Sequence, residues 1–499
     1  MITKTIQAII LSLAAFALTA CMSRPSDARL MESQPAIYPD YIGVTVPATI
    51  APMNFCLPAD DGSQLPVYVE VKGSKGGEMA SDGDCTDFDI DAWHDLLSQN
   101  KGGELVFTVF AKHDDGWRQY KDFTMDVSNY ALDEWGLTYR RIAPGYEVYS
   151  KMGLYERDLS SFDEYEIMEN TRVPGMCINC HTSNRTDPKQ TLFHVRGDKG
   201  ATVLRIDGKT ELLNTKTDST LASCVYPYWH PQGRYIAFST NATLQSFHSV
   251  ADKRIEVFDK ASDLQVYDTK THELLLTPLL KDTSRWETFP AFSADGKRIF
   301  FCSTTRTYSI PEEVMNVRYN LCSIDFDASN GTYGSQLNTL IDAERDSMSV
   351  SIPRPSYDGR FLMYTRCQYG TFPIWHKEAD LWLLDLNTGT DRPLTEVNSN
   401  DTESFHNWST NSHWFVFSSR RGDGLYTRLY LASIDEKGRC TKPFLLPQRN
   451  PKKFYSTDMY SYNVPDFTSE RVMMEASKTA DALMSDEREQ IKVKTTKMQ

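Results

Sequence analysis

The chain has no surplus of basic residues. Its 499 residues include 53 Lys and Arg against 67 Asp and Glu, which gives a formal net charge of −14. A nucleic-acid-binding surface has to neutralise phosphates with basic side chains, so this balance predicts a protein without a nucleic-acid partner. Cysteine is also sparse, because 10 cysteines in this length are too few for a fold built on disulfides.

The sequence also lacks the short motifs of several enzyme classes. It contains no phosphate-binding loop, no dinucleotide-binding fingerprint and no G-x-S-x-G nucleophile turn. These absences argue against a hydrolase or a nucleotide-dependent enzyme. They leave open whether the chain catalyses some other reaction.

The composition is that of a folded protein. Hydrophobic residues make up 40 % of the chain and aromatic residues 12 %. A chain of this length with so many aromatics can bury two or three cores, and it is too apolar to be largely disordered.

The first 20 residues have the pattern of a targeting segment. Lys4 precedes an apolar run over 6–20, which is too short to span a membrane comfortably. The run ends Leu18-Thr19-Ala20-Cys21, which resembles the lipobox of bacterial lipoproteins. The resemblance implies that Cys21 is lipidated and anchors an exported protein, whereas a plain secretory signal would leave Cys21 incidental. Export would allow disulfides to form.

Residues 40–150 alternate between apolar and polar positions. Candidate strands cover Val67–Val71, Leu105–Phe110 and Trp117–Val127, and Ile90–Gln99 is the one helical stretch. This pattern predicts a small domain resembling a β-sandwich. Cys56 and Cys85 are its only cysteines, and they are either joined by a disulfide or free.

From about residue 191 a tight turn followed by an apolar strand recurs. Gly233, Gly296 and Gly359 mark this turn at a constant interval, and Ser412 marks a weaker fourth copy. One such unit cannot bury both faces of its sheet, but several stacked radially can. The copies are 226–238, 289–301, 353–364 and 405–417.

These repeats resemble the TolB-like (PD40) β-propeller, in which a Trp-Ser-Pro-Asp-Gly turn precedes an apolar strand. The resemblance covers 191–467 and implies an all-β architecture with five or six blades. We expect one composite blade, formed by 191–216 together with 460–467. The propeller fold supports many functions, so the resemblance alone predicts none.

The sharpest motif is Cys177-Ile178-Asn179-Cys180-His181, in a charged segment over 151–190 that looks like a linker. C-x-x-C-H is the attachment signature of c-type haem. The two cysteines form thioethers with the haem edge, and the histidine binds the iron. The motif therefore predicts one haem c bound by Cys177, Cys180 and His181.

Three alternatives to haem attachment use the same cysteines. A zinc site needs four ligands, and no second cysteine or histidine pair lies nearby in sequence. A thioredoxin-like pair would need a βαβ context, which the pattern does not show. A simple disulfide between Cys177 and Cys180 stays possible.

The second axial ligand of the iron is less well defined by the sequence. His194 follows His181 closely and is the first candidate, although a strand histidine without a metal fits equally well. A methionine or an open coordination position comes next. The methionines near the motif in sequence that could be this ligand are Met152, Met168 and Met176.

Other metal-binding or reactive residues are predicted to be structural. Four histidines in the repeats have no accompanying carboxylate pattern and are expected in turns or packing: His230, His248, His406 and His413. Five further cysteines are expected to be buried and inert: Cys224, Cys302, Cys322, Cys367 and Cys440.

These features resemble exported cytochrome-containing propeller proteins of Gram-negative bacteria. The leading hypothesis is a lipid-anchored, mono-haem c-type cytochrome of the periplasmic face or cell surface that exchanges electrons with a protein partner. The alternatives are a binding or scaffold lipoprotein with a structural or sensory haem, and a haem enzyme with an open iron site. The predicted segments are a signal peptide (1–20), tether (21–39), β-sandwich-like domain (40–150), haem-binding segment (151–190), propeller (191–467) and charged tail (468–499).

Overall fold

The computed structural model describes residues 23–144, 151–250, 253–304 and 308–496. The predicted signal peptide and Cys21 lie outside these ranges. The described chain is all-β, as predicted, and divides into two compact units. The first unit comprises the chain up to Gly43 together with Pro52–Val127 and Pro447–Ser456, and the second comprises the rest. Within the described ranges no helix is long and apolar enough to cross a membrane.

The first unit is built on one sheet with the order β1-β8-β7-β5-β6, and β9 pairs with the remaining length of β7. Helix α1 packs against β5 and β6 through Trp93, Leu96 and Leu97, and Asp89 caps its first turn. The elements up to residue 130 are β1 (Arg29–Leu30), β2 (Thr45–Val46, in the second unit), β3 (Leu57–Pro58), β4 (Gln64–Leu65), β5 (Val67–Gly73), β6 (Glu78–Gly83), α1 (Ile90–Gln99), β7 (Glu104–His113), β8 (Gly116–Gln119) and β9 (Phe123–Val127).

The predicted strands and helix of this unit are largely confirmed, but the predicted range 40–150 is not, because the chain from Ser128 belongs to the second unit and residues 136–142 form a propeller strand. Strands β5 and β7 and helix α1 lie where the alternation placed them, whereas 117–127 forms two strands, β8 and β9, instead of one. The open choice for Cys56 and Cys85 is resolved, because the two are joined by a disulfide.

The second unit is a six-bladed β-propeller. Blade 1 contains β10 (Gly136–Ile142), β11 (Met152–Asp158), β12 (Glu164–Glu169) and β33 (Ser461–Thr468), and blade 2 contains β13 (Cys177–Asn184), β14 (Asp187–Arg196), β15 (Ala201–Ile206) and β16 (Lys209–Asn214). Blade 3 contains β17 (Cys224–Trp229), β18 (Tyr235–Val250), β19 (Lys253–Asp268) and β20 (Glu273–Leu276), and blade 4 contains β21 (Trp286–Phe292), β22 (Arg298–Thr304), β23 (Asn320–Asp327) and β24 (Thr332–Ile341). Blade 5 contains β25 (Ser349–Pro355), β26 (Phe361–Cys367), β27 (Asp380–Asp385) and β28 (Asp391–Pro393), and blade 6 contains β29 (Glu403–Trp408), β30 (Trp414–Ser419), β31 (Arg428–Ser433) and β32 (Phe444–Leu445).

The short elements connect or extend these blades. They are 3₁₀ turns at Asn170–Arg172, Pro278–Leu280, Val314–Asn316 and Pro373–Trp375, α2 (Ala343–Asp346), α3 (Pro451–Thr457, mostly in the first unit), α4 (Ala476–Met484), β34 (Glu489–Gln490) and β35 (Lys492–Thr495).

The innermost strand of each blade contacts the innermost strands of its two neighbours. The ring runs β33, β13, β17, β21, β25, β29 and back to β33. Strand β33 from the C-terminal region therefore completes blade 1 and closes the ring. This is the composite closure that the sequence predicts, but the partners differ: 191–216 belongs wholly to blade 2, and the strands that join β33 are β10 to β12.

Two further predicted segments, the linker and the charged tail, differ from the structure. Residues 151–190 are not a linker, because they form two strands of blade 1 and the first strand of blade 2. The charged segment from 468 onwards is not merely a tail: α4 packs beside blade 1, and β34 and β35 add parallel fifth strands to blades 2 and 3. Charged residues obscured both regions: Glu156 and Arg157 are buried in the central strand β11, and β34 and β35 are edge strands with exposed charges.

The repeated glycines occupy the turn after the innermost strand, as predicted. Gly233, Gly296 and Gly359 have φ of +74°, +73° and +75°, a conformation that glycine adopts without steric cost. Apolar clusters fill the gaps between neighbouring blades; one of them joins Leu154, Met168 and Met176 with Ile178 and Phe193 across blades 1 and 2.

Candidate functional site

The C-x-x-C-H motif opens β13, the innermost strand of blade 2. Strands β13 and β14 pair from Cys177 with Arg196 to Asn179 with His194, and the register then shifts before Thr182 pairs with Leu192. Cys180 and His181 lie within this bulge, where Cys180 has φ of +53°. The motif is therefore extended, with a kink at its second cysteine.

All six blades carry the same bulge at the same place. A non-glycine residue with φ between +45° and +53° interrupts each innermost strand. A proline follows this residue in four blades, and a histidine follows it in blades 2 and 6. The six pairs are Cys180-His181, Tyr226-Pro227, Phe289-Pro290, Ile352-Pro353, Phe405-His406 and Val464-Pro465.

The six bulge side chains converge on the centre of the ring. Phe289, Ile352 and Phe405 belong to one apolar cluster, against which Tyr226 and Val464 pack. The rings of Tyr226 and Phe289 lie 4.2 Å apart. We call these side chains the plug. Cys180 is its one member with a thiol, and Tyr226 lies next to it.

The Cys180 thiol is kept in its neutral form. Burial raises its pKa, and the charges of Arg196 and Arg140 and a backbone hydrogen bond from Tyr226 only partly oppose this. Neither Cys180 nor Cys177 is part of a disulfide. The simple disulfide that the sequence left open is therefore not formed in this structure.

Cys177 lies nearer the mouth at which the innermost strands begin, which we call the thiol mouth. Its Sγ is 3.4 Å from Nη2 of Arg140, and the same nitrogen is 3.2 Å from Sδ of Met152. Arg140 is fixed by a 2.8 Å hydrogen bond from Nε to the Ile178 carbonyl oxygen. One guanidinium therefore holds together a cysteine, a methionine and the backbone of the motif.

His181 faces blade 1. Its ring interacts with the Thr138 backbone and with Arg140, both on β10 of blade 1. The ring is 7 % exposed, and neither nitrogen has a hydrogen-bond partner that satisfies normal geometry among the described residues. Burial lowers the pKa of His181 to about 4, with the Thr138 backbone opposing the shift. The ring is therefore neutral at pH 7, with a lone pair available on one nitrogen.

His194 does not share this face. It lies two residues from Leu192 on β14 and so points towards blade 3, and its Nδ1 is 3.2 Å from Oγ1 of Thr202 on the adjacent strand β15 of blade 2. The structure therefore does not bring His194 and His181 together, and the two cannot bind one iron from opposite sides without rebuilding blade 2. Of the methionines, Met168 and Met176 lie in the apolar cluster between blades 1 and 2, and Met152 lies beside Cys177.

His406 is the counterpart of His181 in blade 6. It is also buried, neither of its ring nitrogens has a partner among the described residues, and burial lowers its pKa to about 3. It follows Phe405, so no cysteine adjoins it. Unpaired ring nitrogens are thus a property of this bulge position, and the two thiols alone set blade 2 apart.

The residue types of the motif are those that covalent haem attachment uses. Two unbonded thiols and a neutral buried imidazole lie within five residues. Their surroundings differ, because Cys177 lies at Arg140, Cys180 belongs to the plug and His181 faces blade 1. The pocket lined by Arg141, Lys151, Met152, Tyr155 and Tyr460 is too small to enclose a whole haem.

Three other histidines of the repeats contact side chains or backbone of the second unit. His230 contacts the Gly296 carbonyl oxygen, His413 stacks on Tyr130, and His248 lies 2.7 Å from Glu256. Four of the five remaining cysteines are buried, Cys440 is half-buried, and none forms a disulfide. Across the described ranges no three His, Cys, Asp or Glu side chains are arranged to hold a metal ion.

Sequence reasoning missed Arg140, Arg196 and the plug. The arginines lie on β10 and at the end of β14, in segments that carry no repeat signature. The plug leaves a signal that could have been found: an apolar residue precedes proline or histidine at the same place in five blades, and a cysteine replaces it in the sixth.

The comparisons with known proteins give distant likenesses only. No protein-family model matches the chain, and no curated protein matches it. Among solved structures, a protein assigned as TolB from Agrobacterium tumefaciens is 14 % identical with a TM-score of 0.38, over 66 % of this chain and 98 % of that one. Hydrazine synthase from Kuenenia stuttgartiensis is 10 % identical with a TM-score of 0.32, over 51 % and 63 %. Prolyl oligopeptidase B from Galerina marginata is 11 % identical with a TM-score of 0.34, over 68 % and 42 %.

Proposed function

We propose that the protein is a lipid-anchored c-type cytochrome of the cell envelope, in which Cys177 and Cys180 carry one haem and His181 binds its iron. The observation that carries this proposal is the motif at the start of β13, which matches C-x-x-C-H at every position. Both of its thiols are unbonded, and its buried imidazole is neutral and has no hydrogen-bond partner of normal geometry among the described residues. The lipobox at Cys21 supports export, the setting in which haem is attached covalently.

The chain's own residues have distinct tasks in this proposal. Arg140 fixes the position of Cys177 and keeps a positive charge beside it. Burial keeps His181 neutral, so that a nitrogen is free to bind a metal. The plug closes the channel behind Cys180 with apolar side chains and excludes water from that side. A haem bound there would supply a one-electron carrier.

Two alternatives remain for the second iron ligand: a methionine, or no ligand from the protein. Met152 is the sulfur donor that shares a neighbour with Cys177, whereas His194 points to the other face of the blade. Met152 would therefore replace His194 as the candidate for a second residue that binds the iron.

Haem attachment is tested by producing the protein with a cytochrome c maturation system. We expect a pyridine haemochrome spectrum of a c-type haem and covalent haem staining on a denaturing gel. Both signals should be lost on Cys177→Ser and Cys180→Ser and kept on Cys440→Ser, which removes an unbonded propeller thiol far from the motif in sequence. A wild-type protein without covalent haem would contradict the proposal and favour the alternative of a binding or scaffold lipoprotein.

The electron-transfer role is tested separately on the haem-loaded protein. A reduced spectrum that carbon monoxide leaves unchanged supports a carrier with both axial positions filled, whereas carbon monoxide binding supports a haem enzyme. With a formal charge of −14, the protein is expected to favour a basic redox partner. The rate of electron exchange should then fall as salt is raised, and a rate independent of salt would contradict this choice of partner.

A further inference from the structure

A second polar site lies on the other side of the plug. The turns between the first two strands of each blade lie at one end of the channel, which we call the turn mouth. The residues two positions after each bulge form a layer between the plug and the turn mouth. This layer consists of Thr182, Tyr228, Ala291, Arg354, Asn407 and Asp466. Alanine in blade 4 leaves room between its larger neighbours in blades 3 and 5.

Asp466 already has its hydrogen bonds satisfied. Its Oδ1 accepts a 2.7 Å bond from Nδ2 of Asn407, and its Oδ2 accepts a 3.2 Å bond from the backbone N–H of Ser183. Burial raises its pKa to about 7, against these hydrogen bonds and the charge of Arg354. The carboxylate is therefore held by blades 6 and 2, and it forms no ion pair within 4 Å with a basic side chain of the described residues.

Arg354 is left without a partner anion. Its Nη1 donates a 2.9 Å hydrogen bond to the Pro353 carbonyl oxygen, and its Cζ lies 5.2 Å from the ring centre of Tyr228 across the gap left by Ala291. Among the described residues it makes no other hydrogen bond and no ion pair. A guanidinium has five N–H donors, and those of Arg354 that make no hydrogen bond are not sealed from solvent, so they are available to a ligand. The charge of Asp466 acts on Arg354 and opposes the lowering of its pKa by burial.

A second guanidinium closes the turn mouth above it. Arg185, in the turn between β13 and β14, reaches from blade 2 to blade 5 and donates a 3.1 Å hydrogen bond to the Tyr357 carbonyl oxygen. Its Cζ lies 5.3 Å from the Tyr357 ring centre. Arg185 forms no ion pair with any described residue. The hydroxyls of Tyr228 and Tyr357 also make no hydrogen bond to the described chain.

These groups face one another in a single chamber. Tyr228 interacts electrostatically with Arg354, Asp466 and Arg185, and Tyr357 interacts with Tyr228, Asp466 and Arg185. Glu134 is also near Tyr357, but its Oε1 accepts bonds from the backbone N–H and the hydroxyl of Thr410. These residues thus include two arginines without an ion pair and an Asp466 carboxylate already held by hydrogen bonds, whereas Glu134 is bonded through Oε1 only and its Oε2 has no partner among the described residues.

We propose that this chamber binds a small oxyanion, a carboxylate or a phosphate, between the guanidinium groups of Arg354 and Arg185. Guanidinium presents paired donors that match two oxygens of such an anion, and partial desolvation strengthens these bonds. The free hydroxyls of Tyr228 and Tyr357 supply further donors. The site is independent of the haem proposal, because the plug separates it from the thiol mouth.

The test is calorimetric titration of the wild-type protein with inorganic phosphate and, separately, with acetate. We expect saturable binding of at least one of the two, and the comparison identifies which oxyanion the chamber prefers. Arg185→Gln should weaken that binding about tenfold or more, because it removes a charge-assisted pair. The matched control is Arg345→Gln, which removes an exposed arginine of α2 and should leave the binding unchanged.

Arg354→Lys serves as the second variant, because it keeps the charge and loses the paired donors. It should weaken binding while the protein stays folded; if this half-buried substitution unfolds the protein, the exposed Arg185→Gln decides. Absence of binding at millimolar concentrations of both anions would overturn the proposal. Equal affinities of the wild type and Arg185→Gln would also overturn it.

Discussion

The innermost strands of blades 2 and 6 share a backbone and differ in chemistry. Both carry a left-handed bulge residue followed by a buried histidine whose nitrogens have no partner among the described residues. Blade 6 places Phe405 at the bulge and Trp408 three residues later, whereas blade 2 places Cys180 and Ser183 there. Blade 2 also has Cys177 three residues before its bulge.

This comparison separates what the fold requires from what it leaves free. Four blades carry proline at the histidine position, so the backbone N–H of that residue is not needed in those blades. Histidine at this point is therefore compatible with the fold without being demanded by it. The large core residue of blade 6 serves packing, and its replacement by Ser183 in blade 2 gives up packing at the position where thiols are present.

The largest expected difference between the two strands concerns core packing. Trp408 is fully buried, and its Nε1 donates a 2.9 Å hydrogen bond to the Arg354 carbonyl oxygen. Trp408→Ala should lower the free energy of unfolding by about 3–5 kcal/mol, because it creates a cavity in the core. Ser183→Ala removes only a 3.1 Å hydrogen bond to Thr191 and should cost about 1 kcal/mol.

Chemical denaturation of both variants measures these two losses. Similar losses for Trp408→Ala and Ser183→Ala would mean that blade 2 is packed as tightly as blade 6. That result would remove the distinction drawn between the two strands.

A smaller difference is expected in the acid stability of the haem-free protein. Burial lowers the pKa of His181 to about 4 and that of His406 to about 3, whereas histidine in an unfolded chain titrates near 6.5. Below pH 6.5 the unfolded state binds more protons, so the free energy of unfolding falls as the pH falls towards 4. Each histidine should contribute about 2–4 kcal/mol to this loss, at about 1.4 kcal/mol per pKa unit.

His181→Gln and His406→Gln, studied by denaturation at pH 7 and pH 4, measure the two contributions. Each variant should show a smaller acid loss than the wild type, and the two reductions should be similar. A reduction for only one of them would show that the two histidines differ even without haem.

The smallest expected effect is that of proline at the histidine position. His406→Pro restores the residue found in four other blades and should change the free energy of unfolding by no more than about 1 kcal/mol. His181→Pro should be tolerated equally well, but it removes the proposed iron ligand. Thermal melts of the haem-free variants check this equality, and unfolding of His181→Pro alone would show that the backbone of blade 2 differs from the repeat.

The sequence reveals those parts of the propeller whose signals are local. The turn glycines Gly233, Gly296 and Gly359 mark blades 3, 4 and 5, because a tight turn with positive φ leaves a residue signature. Blade 1 has no such glycine, and its innermost strand pairs with residues more than 300 positions away in the chain. Pairing over that distance depends on the closed ring and leaves no periodic pattern.

The candidate site was predicted in part for a related reason. The motif identifies Cys177, Cys180 and His181 by spacing alone. The face on which His194 lies depends on the register of β13 and β14 and on the bulge at Cys180, and a bulge reverses the face of every later residue. His194 is near the motif in sequence, but the strand register places its side chain on the other face of blade 2 from His181.

The central claim is that blade 2, and not its counterpart in blade 6, carries covalent haem. The most direct measurement is mass spectrometry of the peptides that result when protein produced with the cytochrome c maturation system is denatured and digested. We predict that the peptide containing Cys177 and Cys180 carries the added mass of one haem, and that this addition persists in His406→Pro and disappears in Cys177→Ser/Cys180→Ser. A peptide with two unmodified thiols, or joined only by a disulfide, would contradict the account.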